Sequence, residues 1–288
     1  MLSYRHGFHA GSFVDVHKHI TLILLLKSLA QKEAPFCYID THAGSAHYDL
    51  RSRFALKNRE YETGISLLWH EKNTPPAVAD YLAAVKKINC TPRGQNSEPR
   101  YYPGSPAIAR QVLRTQDRMV LMELHNTEIG LLKRHFAGDH HVQIHHRDGF
   151  EGLPGLVPPV EKRGLVLIDP AYESRNEFER LLETLVAAWR KWPTGIYAIW
   201  YPVQYRQPVP QFHYELRTSG IRNIFLHEFS VIPDVAVNRL SGTGMIIINP
   251  PWQFDARIRK TLEWLVPRLD RGSGAPARCA WLVAEKNV

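Results

Sequence analysis

The chain predicts a doubly wound α/β fold on three observations. Seven short apolar runs alternate with helix-like stretches, the runs are continuous, and each closes on a polar or small cluster. Continuous apolar runs suit strands buried on both faces of a parallel sheet, with the helices between them supplying the crossovers. The first run, Phe36-Cys37-Tyr38-Ile39, ends at Asp40-Thr41-His42-Ala43-Gly44. Met119-Val120-Leu121-Met122 ends at Glu123, Val142-Gln143-Ile144-His145 leads to Asp148-Gly149, and Gly164-Leu165-Val166-Leu167-Ile168 ends at Asp169-Pro170. Gly195 to Trp200, Ile224 to Glu228 and Gly244 to Asn249 complete the set. The expectation is a seven-stranded, mostly parallel sheet with helices on both faces. The last two runs, separated by a turn-rich stretch around Pro233-Asp234 and Ser241-Gly242, predict an antiparallel hairpin closing the edge.

One spacing departs from this plan. In dinucleotide-type folds the acid that takes a ribose lies about 20 residues beyond the first turn. Here the candidate, Glu123, lies 83 residues beyond Asp40. A small helical insertion therefore separates the first strand from its helix, and 47–100 fits it, with helix-like pieces at Gly64 to His70 and Ala77 to Lys87. The remaining domain is 1–46 with 101–288. Its helix restarts at Pro103-Gly104-Ser105-Pro106, where Ser105 reads as the N-cap and Pro106 as the first helical residue.

The chain of 288 residues can bury a sizeable core, and 44% hydrophobic with 22% charged residues suits a globular protein. The longest aliphatic run, Leu22 to Leu26, is far too short to span a bilayer, and the N-terminus lacks the features of a signal peptide. A cytoplasmic protein is the expectation. Three scattered cysteines, Cys37, Cys90 and Cys279, support neither a zinc knuckle nor a disulfide framework. A net charge of +8 is compatible with a polyphosphate partner.

The chemistry concentrates at strand ends, where open α/β sheets bind ligands. Asp40 followed by a small-residue turn through His42 to Gly44 suits the amino-acid part of S-adenosylmethionine, and the lack of GxGxxG disfavours a nicotinamide cofactor. Glu123 can accept both ribose hydroxyls. Asp148 can take an adenine amine, with Gly149 letting the ring approach. Asp169-Pro170-Ala171-Tyr172 resembles the [DNS]-P-P-[YF] motif of amino-group methyltransferases. An adenine amine is a weak nucleophile because its lone pair is delocalised into the ring. A carboxylate oxygen of Asp169 and the Pro170 carbonyl can each accept one amine hydrogen and direct the lone pair at a sulfonium methyl. Tyr172 can stack on a base taken out of its helix. Ala171 in place of the second proline removes some rigidity from the turn but leaves the carbonyl acceptor.

The N-terminus is dense in aromatic, His and basic residues: Tyr4-Arg5-His6-Gly7-Phe8-His9-Ala10-Gly11, then Asp15-Val16-His17-Lys18-His19 opening a helix. Contacts to cofactor and RNA backbone fit this composition, with Tyr4 as a stacking platform. No cysteine or carboxylate set converges with these histidines, so no metal is expected. His140-His141 and His145-His146 flank a strand and read as surface or edge residues.

The N-terminal YRHGFHAG, Asp40 to Gly44, Tyr101-Tyr102-Pro103-Gly104-Ser105-Pro106, Asp148-Gly149-Phe150, Leu167-Ile168-Asp169-Pro170 and Trp200-Tyr201-Pro202 together resemble the RlmJ family of bacterial 23S ribosomal RNA adenine-N6 methyltransferases. The resemblance runs from Met1 to Trp252. It implies a monomeric, Rossmann-like class I methyltransferase that uses S-adenosylmethionine on one adenine of 23S ribosomal RNA, needing no obligate protein partner. It also implies that His19, His42, Ser105, Glu123, Asp148, Gly149 and Asp169 contact the cofactor. Asp169 would be catalytic as well, and Tyr4, His6 and Lys18 would serve the target adenosine or its phosphate.

Three other readings use the same residues. A DNA adenine-N6 methyltransferase would share the Asp-Pro motif, although 47–100 is small for a target-recognition region. A protein or small-molecule amine methyltransferase fits the basic charge less well. A non-catalytic RNA-binding module would not need Glu123, Asp148 and Asp169 at successive strand ends.

Overall fold

A computed structural model describes residues 5–91, 94–95, 97–174, 176–204, 209–233 and 240–284. After a single 3-10 turn at His6–Phe8 come α1 (Phe13–Ala30) and β1 (Cys37–Asp40). The next stretch holds β2 (His47–Asp49), α2 (Arg53–Asn58), α3 (Ile65–Leu68), α4 (Pro76–Ile88), β3 (Cys90–Thr91), β4 (Gly94–Gln95) and β5 (Tyr101–Pro103). Then follow α5 (Ser105–Val112), β6 (Arg118–Glu123), α6 (Asn126–His135), β7 (Val142–His146), α7 (Gly149–Leu156), β8 (Gly164–Ile168) and α8 (Glu177–Lys191). β9 (Ile196–Gln204), α9 (Val209–Thr218), β10 (Ile224–Ser230), β11 (Leu240–Ile248), α10 (Phe254–Leu269) and β12 (Arg278–Val283) complete the chain.

The main sheet runs β12-β10-β11-β9-β8-β1-β6-β7. β7, β6, β1, β8 and β9 are mutually parallel, while β11 pairs antiparallel with both β9 and β10. From β1 the chain winds outward through β6 to β7, then crosses to β8 on the other side. The reversal opens a crevice at the carboxyl ends of β1 and β8, the place where such sheets take ligands.

All seven expected strands form, and an eighth joins them. β12 pairs with β10, so the β10–β11 hairpin does not close the edge as the sequence predicted; β11 lies inside the sheet and β12 forms the rim. β12 escaped notice because its residues are mostly half-buried or exposed, the pattern of an edge strand without a continuous apolar run. Part of the predicted turn, 234–239, lies outside the described residues, while Ser241-Gly242 belongs to β11.

Two apolar layers clothe the sheet. Tyr38, Leu165 and Leu167 face one layer with α1, α4, α5 and α10. Cys37, Ile39, Val166 and Ile168 face the other with residues of α7, α8 and α9. This alternation along doubly covered strands is why the runs are apolar at every position. α1 is buried nearly all round because it lies between the sheet and helices α4, α5 and α10. Its start is set by Ser12, whose side chain accepts from the Asp15 amide.

The chain leaves and re-enters the region of the β1 turn through a two-stranded ribbon, with His47 opposite Pro103 and Asp49 opposite Tyr101. Between them, α4 sends Val78, Tyr81, Leu82 and Val85 into the same core as α1. Gly64 approaches Gly11 so closely that an added Cβ would lie 2.1 Å from the Gly11 carbonyl oxygen, and the Ile65 amide donates to that oxygen at 2.9 Å. The segment after α2 thereby clamps the N-terminal segment to the body. The α5 start differs by one residue from expectation. Gly104 is the cap residue and Ser105 is already helical, because the Ser105 hydroxyl is engaged with Asp40 instead of the helix end.

Candidate active site

A cleft at the carboxyl ends of β1, β6 and β8 encloses about 940 Å³ of empty space, counting its open mouth. It brings together His6, Lys18, His19, His42, Gly44, Ser105, Glu123, Asp148, Gly149 and Asp169, residues separated by as much as 163 positions. Asp40, Pro170 and Tyr172 do not line it, and Tyr4 lies outside the described residues.

The floor is the turn after β1. The Thr41 amide and hydroxyl both donate to the Leu167 carbonyl, and the Ala43 amide donates to the Met122 carbonyl. These bonds tie the turn to the ends of β8 and β6. Gly44 has φ +62°, and a Cβ there would lie 2.3 Å from the Tyr48 hydroxyl, so both conformation and space demand glycine. Asp40, expected to meet the cofactor, is fully buried beneath this turn. It accepts from Tyr38 Oη at 2.7 Å, Ser105 Oγ at 2.7 Å and the His42 amide at 3.2 Å. Burial raises its pKa to about 6 against the opposing pull of those bonds. Its place is below the site, aiming Ser105 and the turn.

Glu123 ends β6 with its carboxylate spanning two loops, accepting from the Gly44 amide at 2.8 Å and the His125 amide at 2.6 Å. Burial raises its pKa, with those amides opposing. Asp148 caps α7 by accepting from the Phe150 amide at 2.8 Å and pairs with Arg180 at 2.9 Å. Burial pushes its carboxyl up, but Arg180 and the amides together hold it below the usual range. Arg180 also lies over the Phe150 ring at 5.0 Å, and His42 meets that ring edge-on at 5.1 Å. Gly149 lines the cleft and is also required for packing: its Cβ would fall 2.1 Å from the Thr41 carbonyl oxygen.

The wall opposite is a buried relay. Lys18 Nζ lies 2.5 Å from Asp169 Oδ2 and 3.0 Å from Asp15 Oδ1. Asp15 accepts from the Gly11 amide at 2.9 Å and pairs with His6 Nε2 at 2.9 Å. Desolvation alone would neutralise both groups; His6 and Lys18 beside Asp15, and Asp15 and Asp169 beside Lys18, outweigh it, holding Lys18 protonated and Asp15 ionised. Lys18, expected to reach an RNA phosphate, is buried and paired, so its target is Asp169. His19 lies against Tyr102, its Nδ1 2.8 Å from the hydroxyl, which in turn bonds Tyr81. Burial pushes His19 down to about 3 and His42 to about 4, so both are neutral.

Asp169 Oδ1 has no partner among the described residues and borders the cleft. Pro170 beside it is buried. Tyr172, expected to stack on a base, adopts φ +52° and donates its hydroxyl to the Trp200 carbonyl at 2.6 Å. Its ring meets Phe178 at 4.6 Å and Trp200 at 5.6 Å. Tyr172 therefore supplies the rigidity that Ala171 removes from the turn.

Sequence reasoning missed Asp15, Phe150 and Arg180. Phe150 follows Asp148-Gly149 directly and could have been found from that adjacency. Arg180 comes from a helix 32 residues later and carries no local signal.

Comparisons place this geometry among known proteins. A family model described as "Ribosomal RNA large subunit methyltransferase D, RlmJ" matches residues 33–283. Ribosomal RNA large subunit methyltransferase J of Escherichia coli is 40% identical over 285 residues, 99% of this chain and 100% of that protein. The protein of the same name from Haemophilus influenzae is 40% identical over 276 residues, 96% of this chain and 97% of its own length. The crystal structure of protein LPL1258 from Legionella pneumophila superimposes with a TM-score of 0.86 at 36% identity, covering 96% of this chain and 99% of that one. With the acids of successive strand ends gathered in one cleft and the relatives matched over nearly their whole length, the chain belongs to the RlmJ family of ribosomal RNA large subunit methyltransferases.

Proposed function

We propose that this protein transfers a methyl group from S-adenosylmethionine to the exocyclic N6 amine of an adenine in 23S ribosomal RNA. The observation that carries the reading is Asp169, held through one oxygen by buried Lys18 with the other oxygen open to the cleft. The donor set suits S-adenosylmethionine. Glu123 would take the ribose hydroxyls, Asp148 the adenine amine, and Phe150 the ring. His19, His42, Gly44 and Ser105 would surround the amino-acid end, with Asp40 positioning Ser105 from below. When bound, the cofactor supplies an electrophilic methyl on a positively charged sulfur.

The protein's task is to make a poor nucleophile point its lone pair. Asp169 Oδ1 accepts one amine hydrogen, which favours a tetrahedral nitrogen over the planar, conjugated one; the Pro170 carbonyl, the second acceptor expected from the sequence, belongs to a residue outside the cleft lining. Lys18 keeps the Asp169 carboxylate in one orientation, and Tyr172 holds the turn through Trp200. His6, anchored on Asp15 at the cleft wall, and Tyr4 would meet the target base. We further propose a cytoplasmic monomer without obligate protein partners, in which 1–46 and 101–288 form the catalytic body and 47–100 an inserted helical subdomain.

The test is transfer of labelled methyl from S-adenosylmethionine to unmodified 23S RNA, with matched DNA and protein substrates alongside. Label recovered as N6-methyladenine in RNA alone is the expected result. Label in DNA instead would replace the substrate, and none in any substrate despite cofactor binding would return the binding-module reading.

A further inference from the structure

Beside the cleft mouth, the inserted segment carries a cationic patch of unusual construction. Phe54 of α2 is covered by two guanidinium groups, Arg5 at 5.1 Å and Arg53 at 4.8 Å. Phe8 meets Phe54 edge-on at 5.1 Å and carries Lys57 at 5.5 Å over its own ring. Arg51 adds a further exposed cation at the N-terminal side of α2. None of these four cations forms an ion pair among the described residues. Nearby carboxylates are engaged elsewhere: Glu62 with Arg59, Glu60 with His9, and Asp49 with the Arg51 amide. Three arginines of the body show the other arrangement, with their charge matched: Arg110 by Asp139, Arg118 by Glu161 and Arg278 by Glu228.

A guanidinium lying on an aromatic ring is held in place while its N–H donors stay directed outward. That is a poor arrangement for intramolecular pairing and a good one for bidentate contact to phosphate oxygens. The patch is also continuous with the catalytic cleft. The turn that carries Phe8 carries His6, and His6 lines the cleft two residues away. A Cβ added to Gly7, between them, would lie 3.6 Å from the Phe54 side chain, so the two segments run side by side.

We infer that Arg5, Arg51, Arg53 and Lys57, seated on Phe8 and Phe54, grip the RNA sugar-phosphate backbone flanking the target adenosine. This inference rests on RNA being the substrate and gives the inserted segment its part in the reaction. Phosphate contacts of this kind position the strand without reading its sequence. They leave the base to the cleft, where Lys18 is buried and unable to supply a phosphate contact.

The experiment compares wild-type protein with the Arg53→Ala/Lys57→Ala and Arg53→Glu/Lys57→Glu pairs, both at exposed positions. Binding of labelled 23S RNA is followed across a salt series, with transfer kinetics, S-adenosylmethionine affinity and melting temperature in parallel. A control pair, Lys162→Ala/Arg257→Ala, removes the same charge at the opposite end of the sheet. The alanine pair is expected to weaken RNA binding about tenfold at low salt and to make the salt slope shallower by about one unit per cation removed. The glutamate pair is expected to lose more. KM for RNA should rise while kcat at saturating RNA, cofactor affinity and melting temperature hold. An unchanged affinity and slope, or an equal loss in the control pair, overturns the inference while leaving the methyltransferase reading intact. Wild-type protein that neither binds nor methylates RNA overturns the functional reading itself, and the inference with it.

Discussion

Lys18 lies between two carboxylates with 3% of its side chain exposed, which makes it a positioning residue for Asp169. Replacing it with Met should therefore lower kcat by about tenfold to a hundredfold, because Asp169 loses its orientation. RNA affinity and its salt slope should stay where they are; a shallower slope in Lys18→Met would return Lys18 to phosphate contact. Asp169→Ala removes the acceptor that holds the amine hydrogen, and transfer should fall by about a hundredfold or more. S-adenosylmethionine affinity, measured by calorimetry, should change only a few-fold, since the proposed site gives other parts of the cofactor to Glu123 and Asp148. The acids at strand ends were legible because each closes an apolar run. The pairing of Lys18 with Asp169 was not, because 151 residues separate partners that only the sheet brings together.

Among elements, the turn after β1 and the start of α7 depend on each other. Gly149→Ala would put a methyl 2.1 Å from the Thr41 carbonyl oxygen, which is backbone and cannot swing aside. The turn must shift, and with it Gly44 and the carboxylate of Glu123. A lower melting temperature together with a weakened cofactor Kd is the expected pair of effects; normal values for both would show that the loops move independently. α1 makes a different demand. Leu25 is fully buried between the sheet and its covering helices. Truncation to Ala should cost about 2–5 kcal/mol in denaturant unfolding, with the catalytic constants of the folded fraction little changed. The existence of these elements followed from periodicity and run length. The position of Ser105 did not, because a serine before proline is an equally good cap by sequence until the Asp40 carboxylate takes its hydroxyl.

On the scale of the whole molecule, buried histidines set the response to acid. Burial depresses His17 and His19 to about 3 and His42 to about 4, and drives His227, paired with His17 at 2.8 Å, well down too. In the unfolded chain these groups titrate near 6.5, so below that pH the unfolded state takes up protons that the folded state refuses. Their stabilisation is complete above about pH 6.5 and is lost as pH falls, with a slope approaching 1.4 kcal/mol per pH unit for each group. Asp40 acts in the opposite sense. Its folded value near 6 exceeds the ordinary 3.8, so its ionisation costs stability as pH rises from about 4 to about 6. Four histidines outweigh one aspartate. The melting temperature should therefore drop steadily between pH 6.5 and 4, and a flat profile there would mean that the histidines are protonated in the folded state.

The sequence by itself determined the layered α/β architecture, the existence of β1 and β6 to β11 and the chemical character of the strand ends. These are written locally, in run length, apolar continuity and the residue that stops each run. Tertiary structure decided which of those polar groups face the cleft and which lie under it. It placed Asp40 beneath the floor, turned Tyr172 into a brace, enlisted Arg180 from a distant helix and drew Lys18 to Asp169. Those assignments depend on distances between segments far apart in the chain, and a charged group buried in low dielectric takes its role from the partner it meets there.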